Sequence, residues 1–303
     1  MRTFQVIVNT ESGEAEEMNR ADFEAAVLDS LQSEDIRVCV EFCKGREIEK
    51  VITDLLRDLP TAIIVAGGDG TVATAAGLME NSGVALGIIP MGTFNLAARD
   101  HNIPLELKSA LRVLSTAIPE PIHLMKISGR PCLCTAIIGF YPHMARMIDE
   151  YHGKYWWRKS LIVIWWSILR FAKSTIYRVS LQGVNGSELI QKEFKSRMLA
   201  VVPGEYRDTM GIIPERKDTR SQKANIYVFR HHTRIAMLRG MIACLLGKSK
   251  SDPDMEEVET TSLEINFENK KAVSTMIDGE ILQLPNPLKI EIHSSVLLML
   301  QPR

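Results

Sequence analysis

Two carboxylates in this 303-residue chain stand out for the residues around them: Asp69 in Gly67-Gly68-Asp69-Gly70-Thr71, and Glu280 in Ile277-Asp278-Gly279-Glu280. The first follows an apolar, β-leaning run from Thr61 to Val65 and precedes helix formers from Val72 to Glu80. Strand, glycine turn and helix in that order can hold a phosphate. Glycines let the backbone approach a ligand without a Cβ in the way. The first amides of a helix lack carbonyl partners, and the helix dipole favours an anion there. An acid at this place repels phosphate unless a divalent cation lies between them or the carboxylate handles a proton. Gly and Asp also build ordinary tight turns, so the motif alone does not decide between the two.

A second turn, Pro90-Met91-Gly92-Thr93-Phe94-Asn95, follows the run Val84 to Ile89 and repeats the geometry one strand further on. Both turns are expected at the same carboxyl edge of a sheet, facing a shared crevice. Thr93 offers a hydroxyl and an amide to a phosphate, and Arg99 offers a cation. Asn95 is either a ligand contact or the N-cap of the helix that runs through Arg99. The polar loop Asn9-Thr10-Glu11-Ser12-Gly13 closes a first strand, Phe4 to Val8. Asn9 there is a ligand contact or the head of an Asx turn.

The elements that must position these residues alternate. Helices are expected over Arg20 to Gln32, Glu47 to Leu59 and Leu107 to Thr116, and a second strand over Ile36 to Phe42. Such alternation predicts an α/β domain with a doubly wound, mostly parallel sheet. Pro119 to Pro121 reads as a linker. Beyond it lie short β-like runs at 122–127, 132–138, 176–182, 196–202, 224–230, 262–267, 272–277 and 288–293, which predict an antiparallel, β-rich second domain. Ser249 to Glu259 reads as a polar, partly acidic loop.

Two segments of that second domain have helical spacing instead. Tyr155 to Tyr177 carries every tryptophan of the chain (Trp156, Trp157, Trp165, Trp166) and basic residues without acids. Arg230 to Lys250 is likewise basic and acid-free, with Ile235, Leu238, Ile242, Leu245 and Leu246 at helical intervals. Amphipathic helices of this composition suit a membrane interface, so 155–177 and 235–248 are expected as peripheral membrane contacts. The alternative is packing on the β domain with the basic stems snorkelling.

A formal net charge of −1 gives no electrostatic footprint for nucleic acid. Five cysteines without a CxxC pair argue for reduced thiols, against both a disulfide framework and a zinc site. His143, His152, His231, His232 and His293 lack metal-binding spacing. No apolar run reaches the ~20 residues that span a bilayer, and the start lacks a signal-peptide apolar region. The expected location is cytoplasmic, with peripheral contact at the inner membrane face. The loop after the first strand is not a GxGxxG, which disfavours a dinucleotide-binding dehydrogenase.

Taken together, the motif at 67–71, the turn at 90–95 with Ala98-Arg99, and Asp278-Gly279-Glu280 resemble the diacylglycerol kinase and sphingosine kinase catalytic-domain superfamily. The bacterial single-chain lipid kinases match in length and layout. Asn9 to Gly13 resembles the family's Asn-Pro-x-Ser-Gly loop, with Thr10 for proline, and Ser128 to Pro142 resembles the strand pair that opens its second domain. The resemblance implies a nucleotide-binding domain over 1–119, completed by a last strand within about 294–303, and a lipid-substrate domain over 120–293. It implies ATP and Mg²⁺, a lipid hydroxyl as acceptor, Asp69 as metal-linked catalytic carboxylate, and Glu280 as the base that takes the acceptor's proton. Asn9, Ser12, Gly13, Gly67, Gly68, Gly70, Thr71, Gly92, Thr93 and Asn95 would contact the nucleotide. A homodimer is left open. The chain departs from the pattern at Glu41, Ala73, Cys134-Thr135 and Ser221-Gln222, the last replacing an Asp-Gly pair that supports a structural magnesium. Those departures motivate a catalytically impaired nucleotide- or lipid-binding member as the alternative. A soluble-metabolite kinase of the NAD kinase type shares only the first glycine motif.

Overall fold

The computed structural model describes residues 2–13, 19–139, 174–207, 215–216 and 221–303. The chain divides into two compact units, one of residues 1–124, 130–134 and 293–303, the other of residues 125–129 and 135–292.

In the first unit, β1 (Arg2–Asn9), β2 (Ile36–Cys43), β3 (Ala62–Gly67) and β4 (Ala85–Pro90) form a parallel sheet in the order β2-β1-β3-β4. The far end of the long strand β18 (Leu288–Gln301) extends it, pairing Leu298 and Met299 in parallel with Ala85 and Leu86. Strand side chains alternate between two faces, and both are covered. Val6, Val8, Ile64 and Ala66 meet α1 (Arg20–Leu31) and α5 (Leu107–Thr116) through Phe23, Val27, Leu111 and Leu114. Ile7, Ile63 and Val65 face the opposite cluster with α2 (Ile48–Leu55) and α3 (Asp69–Leu78), through Ile48, Ile52, Val72 and Ala76. Side-chain caps start two of these helices. Asn19 accepts from the Ala21 amide, and Glu106 from the amides of Lys108 and Ser109. A short α4 (Leu96–Asp100) follows the second glycine turn.

In the second unit, β7 (Ala136–Gly139), β10 (Met198–Pro203), β13 (Ala224–Phe229), β14 (Met255–Thr260), β16 (Ala272–Ile277) and β17 (Glu280–Pro285) make an antiparallel sheet, ordered β14-β13-β10-β7-β16-β17. The hairpin of β8 (Tyr177–Asn185) and β9 (Glu188–Ser196) pairs through β15 (Ser262–Phe267) with the near end of β18. β11 (Tyr206–Arg207) pairs with β12 (Glu215–Arg216), and α6 (Arg234–Leu245) follows β13. An α/β unit with a mostly parallel sheet and a β-rich antiparallel unit are thus both present, as the alternation of elements predicts.

Several local expectations are corrected. Pro119 and Pro121 do not form a linker. They lie inside β5 (Ile118–Ile127), which pairs with β18 and β6 (Arg130–Cys132), and both prolines point to the exposed face. A strand outside the main run of the sheet tolerates the missing amides. The acidic stretch 249–259 is not all loop, because β14 begins at Met255. Glu256 pairs with Lys192 on β9 and with Arg230 just after β13, and Glu259 with Lys223 just before β13. α3 starts at Asp69, three residues before Val72, and the expected 230–250 helix shortens to Arg234–Leu245. Of the tryptophan-rich segment 155–177, only the end is described; it is not helical, and Tyr177 opens β8. The rest lies outside the described residues. No helix among the described residues is long and apolar enough to cross a membrane.

Candidate functional site

The first glycine turn ends a strand buried along its whole length, and the chain passes directly into α3. Gly68 is the N-cap, and the Val72 amide bonding to the Gly68 carbonyl at 3.1 Å is the first link of the helix. The amides of Asp69, Gly70 and Thr71 therefore form the open first turn. None of Gly67, Gly68, Gly70 and Gly92 takes a positive φ. Close approach is what requires two of them. A Cβ on Gly67 would stand 2.8 Å from Thr71 Cβ, and one on Gly92 would stand 2.6 Å from Gly68 Cα. The two turns touch backbone to backbone, as adjacent parallel strands place them, and the Met91 amide bonds to the Gly67 carbonyl at 3.0 Å.

Gly70 is different. No atom lies within 4 Å of where its Cβ would be, so packing does not demand glycine there. An open backbone beside unpaired helix amides is a cradle that a side chain would fill, and it fits an incoming phosphate.

Side chains lock the second turn to the first. Asn95 sits at φ 50°, a left-handed conformation that Asn tolerates. Its side chain does not cap α4. Instead Asn95 Oδ1 accepts from the Gly92 amide at 2.8 Å and Nδ2 donates to the Gly92 carbonyl at 2.7 Å, closing the turn. The cap comes from Asp69, whose Oδ1 accepts from the Ala97 amide at 3.0 Å. A carboxylate of one glycine turn thereby holds the helix that follows the other. Arg99 Nε donates to the Phe94 carbonyl, which directs this nitrogen onto the turn.

The loop after β1 joins the same cluster. Asn9 is buried, its Nδ2 donates to Thr71 Oγ1 at 2.9 Å, and its Oδ1 accepts from the Glu11 amide. It is an Asx turn and a tie to the first turn of α3 at once. Because Thr71 Oγ1 accepts from Asn9, its own proton is left for another acceptor. Ser12 is buried with its amide on the Asn9 carbonyl, and the Cβ position of Gly13 faces the Met91 carbonyl at 3.8 Å. Glu11, which carried no sequence signal beyond its loop, binds the Gly45 amide at 3.0 Å and joins the ends of β1 and β2. Burial, then the charges of Glu41 and Glu47, push the Cys43 thiol beside this loop up to about 11, so it stays protonated and unreactive. Thr93 and Phe94 are exposed.

Glu280 belongs to the second unit. Asp278 (φ 45°) and Gly279 (φ 93°) form a two-residue hairpin between paired Ile277 and Glu280, the left-handed pair that an Asp-Gly turn favours. Asp278 is buried and accepts from the Thr135 amide at 2.9 Å, while its own amide donates to the Thr135 carbonyl. This clamp leaves Glu280 exposed as the first residue of β17. Among the described residues, His231, Asp252 and Asp254 group their ligand atoms within 4.8 Å. Arg239 already pairs with both carboxylates, so the cluster is a neutralised ion-pair network.

Residues 3–127 match the diacylglycerol kinase catalytic domain family. A probable lipid kinase YegS-like protein of Klebsiella pneumoniae is 36% identical over 98 residues, covering 32% of this chain and 33% of its own. One from Xanthomonas oryzae pv. oryzae is 29% identical over 126 residues, 38% of this chain and 40% of its own. The matched stretches span between a fifth and two fifths of the curated relatives' length. The crystal structure of a diacylglycerol kinase from Bacillus anthracis str. Sterne superposes with a TM-score of 0.70 at 20% identity, over 99% of this chain and 97% of the other, and so shares the fold. The glycine turns, Asp69 and Asn95 all lie inside the segment, residues 3–127, that matches the diacylglycerol kinase catalytic domain family.

Proposed function

We propose that the protein is an ATP-dependent lipid kinase that transfers the γ-phosphate of ATP to a hydroxyl of diacylglycerol or a related lipid. The observation that carries this reading is the pair of abutting glycine turns bridged by Asp69, with Gly70 open beside the unpaired amides of α3. ATP phosphates would lie on the amides of Gly68 to Thr71 and against Gly92 and Thr93, with Asn9 and Ser12 shaping the adjoining loop. Asp69 has one oxygen on Ala97 and a second to offer, so it would hold Mg²⁺ through that oxygen or an intervening water. Bound magnesium would neutralise phosphate charge during transfer. Glu280 would take the proton of the acceptor hydroxyl as the new O–P bond forms and the bond from Pγ to the bridging oxygen of ADP breaks. Positioning and charge stabilisation supply most of the rate in such a reaction.

The test is transfer of label from ATP into a total lipid extract, with products identified by mass. The Asp69→Asn protein is the control, because an asparagine oxygen can still accept from Ala97 while the charge is gone. Transfer by the wild type and a loss of about 100-fold or more in the variant are expected. ATP binding without transfer to any lipid would instead establish the impaired member.

A further inference from the structure

A lipid acceptor requires contact with a bilayer, and α6 carries the surface for it. Ile235, Leu238, Ile242 and Leu246 are 82%, 49%, 48% and 53% exposed. Their spacing puts them on one stripe about 16 Å long. Leu246 continues the helical pattern, since its amide bonds to the Ile242 carbonyl. Small residues face inward at three positions. Ala236, Gly240 and Ala243 are half-buried, and a Cβ on Gly240 would stand 2.4 Å from His231 Nε2. An ordinary surface helix buries its bulky apolar residues; here Met237 is half-buried, but Ile235, Leu238, Ile242 and Leu246 are displayed.

That orientation is fastened. Arg239 pairs with Asp252 Oδ1 at 2.9 Å and with Asp254, while buried His231 Nε2 meets Asp252 Oδ2 at 2.9 Å. Elsewhere among the described residues, exposed large hydrophobics such as Leu59, Phe94 and Leu189 stand apart in the chain, which is normal.

Charge identifies the occupant. Residues 230–251 contain five Lys or Arg and no Asp or Glu. Just before the helix, Arg230 and His232 line a cavity of ≈ 240 Å³ with Lys195, Phe194 and Glu193, and Arg230 also meets Glu256 at 3.3 Å. Lys248 is exposed beyond the far end. An apolar stripe with cations at both ends complements an anionic bilayer, not a neutral one.

We propose that α6 is a membrane-docking element. Its stripe enters the headgroup and acyl boundary, and Lys195, Arg230, His232 and Lys248 meet the phosphates of anionic lipids. The inference deepens the lipid-kinase reading and rests on it for the reason a bilayer matters. Its test uses no ATP: flotation of the full chain with phosphatidylcholine vesicles, with and without phosphatidylglycerol, across a salt series. Binding to the anionic vesicles that weakens with salt is expected. The double variant Leu238→Asp, Ile242→Asp should lose about 100-fold in partitioning, the scale of two large apolar side chains denied lipid. Its thermal midpoint should not move, because both positions are exposed. The Asp69→Asn protein should float like the wild type. Equal flotation of the double variant and wild type overturns the proposal, as does equal binding to neutral vesicles. A wild-type dimer that the double variant dissociates also overturns it, because a second copy then covers the stripe. Flotation without any lipid phosphorylation leaves the docking intact and removes the kinase reading.

Discussion

Asp69 carries two duties, and its substitutions should separate them. Its Oδ1 caps α4 through Ala97, and its charge serves the proposed chemistry. Asp69→Asn keeps an accepting oxygen; Asp69→Ala does not. The alanine variant should lose a further ~1 kcal/mol of stability in urea melts, the ordinary value of a helix cap. The glycines divide in the same way. Gly92→Ala forces a Cβ to 2.6 Å from Gly68 Cα and should cost about 1–3 kcal/mol, as overpacking does. Gly70→Ala meets no atom within 4 Å in the first turn of α3 and should gain roughly 0.5–1 kcal/mol. Its KM for ATP should nevertheless rise by about tenfold, equivalent to ~1.4 kcal/mol of lost binding. Urea midpoints and ATP titrations of the two variants side by side check both halves. A Gly70→Ala protein with unchanged KM would remove phosphate from this cradle.

Among the elements, the strands and helices of the first unit were legible because buried parallel strands are continuous apolar runs and their helices carry apolar residues at intervals of three and four. The site was legible as two turns at one edge, but not its internal ties. Asn95 reads equally well as a cap, and only the fold shows its amide closing on Gly92 while Asp69 does the capping. Exposed polar strands escaped. β9 alternates weakly, and β14 reads as an acidic loop because the cations that hold Glu256 and Glu259 lie far away in sequence. His231 with Asp252 is another long-range pair of this kind. Burial works against the Asp252 carboxylate, but hydrogen bonds from His231, the Asp254 amide and Arg239 outweigh it and hold the carboxyl below its ordinary range. A depressed folded-state value adds stability above the unfolded-state value of about 4 and loses it as pH falls through the folded one. Asp252→Ala should therefore cost about 2–4 kcal/mol at neutral pH, since it strands buried His231 and takes one of the two carboxylates from Arg239. The gap from wild type should narrow on acidification below pH ~4. Urea midpoints of both proteins at neutral and acid pH measure it; a gap that widens in acid contradicts the assignment.

Across the molecule, the proposed labour is divided between two units that share strands but not motifs. β18 supplies its near end to β15 in the second unit and its far end to β4 in the first, so the chain returns to the first unit's sheet after building the β-rich unit. Asp69 and the glycine turns lie in the first unit and Glu280 in the second, at the start of β17. If the nucleotide is gripped by the first unit and the acceptor proton leaves through the second, damage to Glu280 must appear in turnover and not in ATP binding. Glu280→Gln should lower kcat by about 10²–10⁴-fold, the range for losing a positioned general base. Its ATP dissociation constant should stay within about twofold of wild type, because no charge is removed from the phosphate cradle. Exposure of Glu280 and the clamp of Asp278 on Thr135 make the substitution harmless to the hairpin. The Asp69→Asn protein should show the complementary pattern, weaker ATP binding in the presence of magnesium together with lost turnover. A Glu280→Gln enzyme that loses ATP affinity while its remaining bound complex turns over normally would place this carboxylate with the nucleotide and leave the acceptor without its base.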